Sequence, residues 1–331
     1  MFNKMKKCVS IGMIAVLTMG LTAGCGSTGN TASASGSGKK ILYTVCNTDD
    51  TFRAKLSNAL VSSGTEQGVT VDMQLCGSDI QDQVTMVSEA KANGYDAVIV
   101  RLTDASTALQ MEDAAGDLPL VFVNNQPDDN RLSDSEYVYV GSDEEQAGTY
   151  QTEYVLDKLG HPSSLNVIIL EGEQGHSGTI GRTNAVKKTL KSEGVSANYV
   201  FVDYCNWSDT EAEHKLEMFF RTNQPYDCII ANNDTMALGA ANALKANGID
   251  PGSIPICGVD ATSDGCASVS AGAMGYTVLQ DADNQAKAAV EAAIIMAGGG
   301  SISSIDGASE DGKYIWVPYV PVDSSNVSQY Q

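Results

Sequence analysis

Basic residues are scarce in this chain: 20 Lys and Arg stand against 41 Asp and Glu, a formal charge of −21 over 331 residues. Nucleic-acid binding draws most of its affinity from basic patches, so no nucleic-acid partner is expected. The acidic surface serves solubility and names no ligand. The eight cysteines are scattered and form no C-x-x-C pair, which argues against a zinc site. There is no G-x-S-x-G and no H-E-x-x-H, so neither a nucleophile elbow nor a zincin helix is in place. No metal and no cofactor are expected. Beyond Cys25 no apolar run is long enough to cross a membrane.

What is present begins with a leader. Lys4, Lys6 and Lys7 precede an apolar stretch from Val9 to Leu21, and Leu21-Thr22-Ala23-Gly24 leads into Cys25. A basic start, a short apolar core and small residues are the parts of a secretory signal. The Cys after the small residues resembles a bacterial lipobox, which implies cleavage before Cys25, a diacylglycerol on its sulfur and anchoring to the cell membrane. A plain leader cut near Ala23 is the other reading. Losing the leader leaves 17 basic residues (20 less 3) against 41 acidic ones, a formal −24. Residues 25–38, rich in Gly, Ser, Thr and Ala, read as a flexible tether. Cys228 and Cys257 lie in apolar runs as small hydrophobes. Cys46 and Cys76 both end candidate strands, and a disulfide between them is left open.

Strand-like and helix-like runs then alternate to the end of the chain. Candidate strands are Lys40–Cys46, Thr70–Leu75, Ala97–Arg101, Leu120–Asn124, Tyr137–Gly141, Asn166–Leu170, Tyr199–Asp203, Asp227–Ala231, Ile254–Val259 and Tyr276–Leu279. Amphipathic segments between them are Phe52–Ser63, Ile80–Asn93, Glu144–Leu159, Gly181–Glu193, Thr210–Arg221, Met236–Asn247 and Asn284–Ala297. This alternation predicts an α/β fold of parallel sheets with helices on both faces. The strand count exceeds one ordinary sheet and fits two similar lobes. Ile315–Val322 reads as a final strand crossing back.

The ends of these strands carry the chemistry. Ile229-Ile230-Ala231 runs into Asn232-Asn233-Asp234, with Asp234 as the expected helix cap and Asn233 as the expected ligand contact. Asp50, Asn124, His176, Asp260 and Gln280 end or follow other strands, and Trp207 follows Asn206. Any one of them could be a helix cap. As a set at the carboxyl edges of parallel sheets they suit a hydroxyl-rich ligand, since amides donate and accept while carboxylates accept.

These residues stand within longer matching runs: Asp49-Asp50-Thr51-Phe52, Pro119 to Asn124, Gly172-Glu173-Gln174-Gly175-His176, Ala231 to Asp234, Gly258-Val259-Asp260-Ala261, Asp283 to Ala288 and Val317-Pro318-Tyr319-Val320. Over nearly all of its length after the leader, the chain resembles the type I periplasmic sugar-binding proteins of the ribose/galactose-binding class, most closely their galactose/glucose-binding members. The resemblance implies two Rossmann-like lobes joined by a multi-strand hinge, residues 40–142 with 280–317 and residues 143–279 with 318–331. It implies a monomeric, non-enzymatic receptor that binds a monosaccharide between the lobes and delivers it to an ABC permease, with a chemoreceptor as a further partner. Position by position it makes Asp50, Asn124, His176, Arg182, Asn233, Asp260 and Gln280 polar ligand contacts, and Phe52 and Trp207 the aromatic ones. Aromatic faces attract the slightly positive C–H groups of a pyranose. Three positions depart from the galactose/glucose pattern: Gly178 in place of an Asp, Cys46 of a Tyr and Asn125 of a Lys. The Gly is expected to open space near His176 and Arg182. The connection Gly160 to Leu165 has no carboxylate, so the calcium site of that relative is not expected. Other readings are a pentose, polyol or signalling-sugar receptor, a glycosidase using Asp50 and Asp260, and a repressor of the same fold, which would need a DNA-binding segment where this chain has a leader.

Overall fold

The computed structural model describes residues 38–331; the leader, Cys25 and the tether up to residue 37 lie outside the described residues. The strands are β1 (Lys40–Val45), β2 (Thr70–Leu75), β3 (Ala97–Val100), β4 (Leu120–Val123), β5 (Tyr137–Gly141) and β6 (Ser164–Glu171). They continue as β7 (Ser196–Tyr204), β8 (Cys228–Ala231), β9 (Ile256–Cys257), β10 (Tyr276–Leu279), β11 (Tyr314–Trp316) and β12 (Val320–Asp323). The helices are α1 (Thr51–Glu66), α2 (Ile80–Glu89), α3 (Ala108–Ala115), α4 (Glu144–Leu159) and α5 (Ser177–Ser192). After them come α6 (Asp209–Phe220), α7 (Asp234–Ala246), α8 (Ser263–Ser270) and α9 (Ala282–Met296).

Two six-stranded sheets result, with orders β11-β5-β4-β3-β1-β2 and β12-β10-β9-β8-β6-β7. All neighbours are parallel except β12, which runs antiparallel to β10. Parallel sheets need cover on both faces, and the sequence supplies it at period two. Ile41, Tyr43 and Val45 of β1 pack toward α1 and α9, while Leu42 packs toward α2 and α3. In β6, Ile168 and Leu170 face α6 and α7, while Val167 and Ile169 face α4 and α5. Each such side chain is fully buried, which stabilises the fold by about 1.5–3 kcal/mol apiece before entropy.

The two α/β lobes are joined where the chain passes from one sheet to the other: after β5, after β10 and between β11 and β12. The expected single strand Ile315–Val322 is in fact two strands in different sheets. Pro318 has no N–H for a ladder and breaks the run between them. Pro255 likewise shortens the run Ile254–Val259 to β9. Helices α3 and α8 escape the sequence pattern. Both have only eight residues, and α8, Ser-Asp-Gly-Cys-Ala-Ser-Val-Ser, is poor in helix formers. It is held by Thr262, whose hydroxyl caps Gly265 N, and by burial of Cys266 and Val269.

Candidate functional site

Three strand-to-helix junctions share one device. Asp50 Oδ1 accepts from Arg53 N at 2.8 Å, His176 Nδ1 from Gly178 N at 3.0 Å, and Asn233 Oδ1 from Met236 N at 3.0 Å. Each side chain therefore caps a helix, and each also lines one cavity between the lobes. Capping and lining coincide because a helix that starts at a sheet's carboxyl edge points its N-terminus into the cleft. The cap of α7 is Asn233, not the expected Asp234. Asp234 is fully buried behind it, where it bonds Thr262 N at 2.8 Å, Thr262 Oγ1 at 3.1 Å and Thr277 Oγ1 at 2.5 Å. Asn232 also has a structural post: its Oδ1 accepts from Gly172 N at 3.1 Å, and its carbonyl from Arg182 Nη1 at 2.6 Å.

The cavity is nearly filled by its own lining: about 20 Å³ remains open, far below the ~300–1,000 Å³ usual for ligand pockets. All nine residues expected from the sequence line it, joined by Arg53 and Arg101. Asn124 and Trp207 both take positive φ (62° each), and Asp260 takes φ 112°. Such conformations cost about 1–3 kcal/mol in a non-glycine residue and cluster at ligand clamps. Trp207 is pinned by its surroundings. Its ring meets His176 edge-on at 5.2 Å, and it lies so close over Gly172 that no Cβ fits there.

Arg182 organises the far wall. Nε donates to Glu144 Oε2 at 2.7 Å, while Nη2 donates to Gln280 Oε1 and Tyr319 Oη, both at 2.9 Å. Nη1 also stands 4.0 Å from Asp260 Oδ1. Most of its five donors are therefore spent on the protein. Three polar atoms in the cavity have no hydrogen-bond partner among the described residues: Asp260 Oδ1, Gln280 Nε2 and Arg53 Nε. Buried orphans of this kind cost about 1–3 kcal/mol each until something pairs with them.

Burial pushes the Asp260 carboxyl well above the usual range; Arg182 opposes this, and Asp234, Asp50 and Glu144 add to it. Burial also raises Asp234 to about 7. His176 is driven well below its ordinary value by burial and by Arg101, Arg182 and Arg53, so its ring is neutral. With Nδ1 accepting from Gly178, the ring proton sits on Nε2.

Sequence reasoning missed Arg53, Arg101 and Glu173. Glu173, on the loop after β6, bridges the lobes, with Oε1 3.0 Å from Arg53 Nη2 and Oε2 3.4 Å from Arg101 Nη2. Burial alone would raise its carboxyl, but Arg101 and Arg53 outweigh that and hold it below its ordinary value. The available signal was Arg101 itself, a cation closing the wholly apolar strand Ala-Val-Ile-Val.

The three departing positions acquire roles. Cys46 and Cys76 are free thiols, and Cys46 Sγ accepts from Arg53 Nη1 at 3.4 Å and Arg101 Nη1 at 3.3 Å. Asn125 ties the lobes: Nδ2 donates to Leu102 O at 3.0 Å and Oδ1 accepts from Ser177 N at 3.1 Å. Gly178 does not line the cavity. A Cβ there would stand 3.2 Å from His176 Nδ1 and 3.6 Å from Arg182 Cζ, so the position opens no free space.

Two α/β lobes around a small polar cavity are the architecture of solute-binding proteins. The chain belongs to the family described as periplasmic binding protein domain, whose model matches residues 41–301. That membership makes it an extracytoplasmic sugar-binding-superfamily protein of ABC transport systems rather than an enzyme. It is 28% identical over 319 residues to the D-galactose/methyl-galactoside-binding periplasmic protein of Haemophilus influenzae, spanning 91% of this chain and 95% of that one. It is 29% identical over 282 residues to the xylitol-binding protein of Mycolicibacterium smegmatis, spanning 84% and 77%. Among solved structures, an ABC transporter solute-binding protein from Bacillus halodurans with bound myo-inositol superposes with a TM-score of 0.78 at 26% identity, covering 89% of this chain and 98% of that one.

Proposed function

We propose that this chain is a lipid-anchored receptor, held at the membrane through Cys25, that captures a monosaccharide or cyclic polyol between its lobes and delivers it to an ABC permease. The observation that carries the reading is the convergence of Asp50, Phe52, Asn124, His176, Arg182, Trp207, Asn233, Asp260 and Gln280 on one cavity between the lobes. Hydroxyl groups both donate and accept, so they match the unpartnered Asp260 Oδ1 and Gln280 Nε2 together. Trp207 and Phe52 supply apolar faces for the ring C–H groups. The lobes, residues 40–142 with 280–317 and residues 143–279 with 318–331, close around the ligand about the three crossings, and the permease recognises the closed form. The galactoside, xylitol and myo-inositol of the relatives all fall within this ligand class.

The test is a thermal-shift panel of hexoses, pentoses, polyols and inositols on the purified chain, followed by calorimetry. A Kd near micromolar, about −8 kcal/mol, is expected for at least one member. Silence across the panel, or turnover of a glycoside, would overturn the reading.

A further inference from the structure

The neutral polar side chains of the cavity face it with a single polarity. Asn124 Oδ1 is taken by Arg101 Nε at 3.2 Å, Gln280 Oε1 by Arg182 Nη2 at 2.9 Å, and Asn233 Oδ1 by Met236 N at 3.0 Å. Each partner can only donate, so the amide oxygen must be the atom that meets it and the amide nitrogen is the atom left for the cavity. His176 obeys the same rule: Nδ1 is occupied by Gly178 N and Nε2 carries the proton. Arg53 Nε and Gln280 Nε2 are buried without an acceptor. Against these donors the lining offers only two carboxylates, Asp50 and Asp260. Every hydroxyl of a neutral sugar brings a donor along with its lone pairs and so draws on the few acceptors of the lining, whereas a carboxylate brings acceptors alone.

A second observation lies at the Arg53–Arg101 end. Both guanidiniums are almost fully buried, at 4% and 1% side-chain exposure, and they share Glu173, which is 37% exposed and reaches in from the other lobe. Glu173 demonstrates that a carboxylate fits against this pair. Its two contacts still leave Arg53 Nε free, and with five N–H groups per guanidinium each Nη2 retains a second hydrogen. Asp50 stands near Arg53 as well, but its Oδ1 is committed to the cap of α1.

We propose that the ligand is a monosaccharide oxidised to an acid, a uronate or aldonate, whose carboxylate binds Arg53 and Arg101 while its hydroxyls reach Asp50 and Asp260. The inference rests on reading the cavity as a sugar site and narrows it. Oxidation of a primary alcohol or aldehyde to a carboxylate adds charge-assisted acceptors where the N–H groups are in surplus. Burial raises the Asp260 carboxyl, a shift that favours its neutral form and so points the same way, toward less negative charge in the lining.

The experiment compares D-glucuronate, D-galacturonate and D-gluconate with D-glucose, D-galactose and myo-inositol by thermal shift and calorimetry on the full chain. At least one acid is expected to bind at least about tenfold more tightly than every neutral probe, as a charge-assisted bidentate contact requires. Arg53→Met and Arg101→Gln should each weaken the acid at least about tenfold more than they weaken any neutral probe, a split that simple unfolding would not give. Circular dichroism melts check that each variant folds. Should Arg101→Gln not fold, Arg53→Met alone carries the test, read as the acid-to-neutral ratio because the variant also loses the Nη contacts to Asn47, Cys46 and Glu173. Equal or tighter binding of a neutral probe overturns the acid and leaves the sugar site standing. Silence of the three acids overturns the proposal, and silence of the wider neutral panel as well overturns the sugar site with it.

Discussion

Gly172 separates the site's geometry from its polarity. A Cβ added there would lie far inside van der Waals distance of Cη2, Cζ2 and Cζ3 of Trp207, where ordinary carbon contacts fall at about 3.5–4.0 Å. Gly172 has no left-handed φ, so the position needs Gly for space and not for backbone freedom. In Gly172→Ala the indole must therefore move. Its backbone is fixed at φ 62° and its edge is held by His176 at 5.2 Å, so the ring swings into the cavity it lines. Overpacking of this kind costs about 1–3 kcal/mol. Loss of a stacked aromatic face adds about 0.5–1.5 kcal/mol on the binding side. The affinity loss should then be about 2 kcal/mol, roughly thirtyfold in Kd. The melting temperature should fall by only about 2–4 °C per kcal/mol that remains in the free protein. Calorimetry with the best ligand of the panel reads the first number. Emission of Trp207 in a Trp316→Phe background, which leaves it the only tryptophan of the two in the chain, reads the displacement. If Gly172→Ala bound ligand within twofold of the parent with unchanged emission, the assignment of Trp207 as a cavity wall would be wrong.

Asp50→Ala removes a cavity acceptor and the α1 cap together; we expect at least a tenfold weaker Kd and a cap cost of about 1 kcal/mol, seen as a small fall in melting temperature. Asp234 makes stability depend on pH. Its folded pKa of about 7 lies above the ordinary 3.8, so its contribution is complete below pH ~4 and is lost as pH rises toward 7. Asp234→Asn should flatten that interval in melts taken from pH 4 to 8, and an unchanged slope would show that the proton is bound elsewhere. With Cys46 and Cys76 both free, a reductant should leave the melting temperature unaltered, whereas a drop would reveal a disulfide.

Much of this molecule is legible in one dimension because its two lobes use a local code. Period-two apolar strands and Asn or Asp caps recur where each strand meets its helix, so Tyr276–Leu279 and Glu144–Leu159 match their expected ranges. The short helices α3 and α8 do not follow this code: α3 has good helix formers but only eight residues and no side-chain cap, whereas α8 takes its order from burial and the Thr262 cap. Most of the nine residues expected at the site stand at strand ends or helix starts, which makes them visible in the sequence; Arg182, inside α5, came only from the family resemblance. The roles of their neighbours were not legible. Nothing local distinguishes Asn233 from Asp234 as the cap, and only packing shows that Asp234 turns inward to Thr262 and Thr277.

The sequence by itself determined the alternating α/β architecture and supplied residues with the chemistry to meet a polyhydroxylated ligand, because these depend on periodicity and on residue type. Only the tertiary structure decided their polarity. Asn124, Asn233 and Gln280 are each able to donate or accept, and the choice was made by Arg101, Met236 N and Arg182, partners 3 to 98 residues distant along the chain. It also brought Arg53, Arg101 and Glu173 together across the lobes, a cluster of charge that no local pattern encodes because Glu173 lies 120 and 72 residues from its two partners.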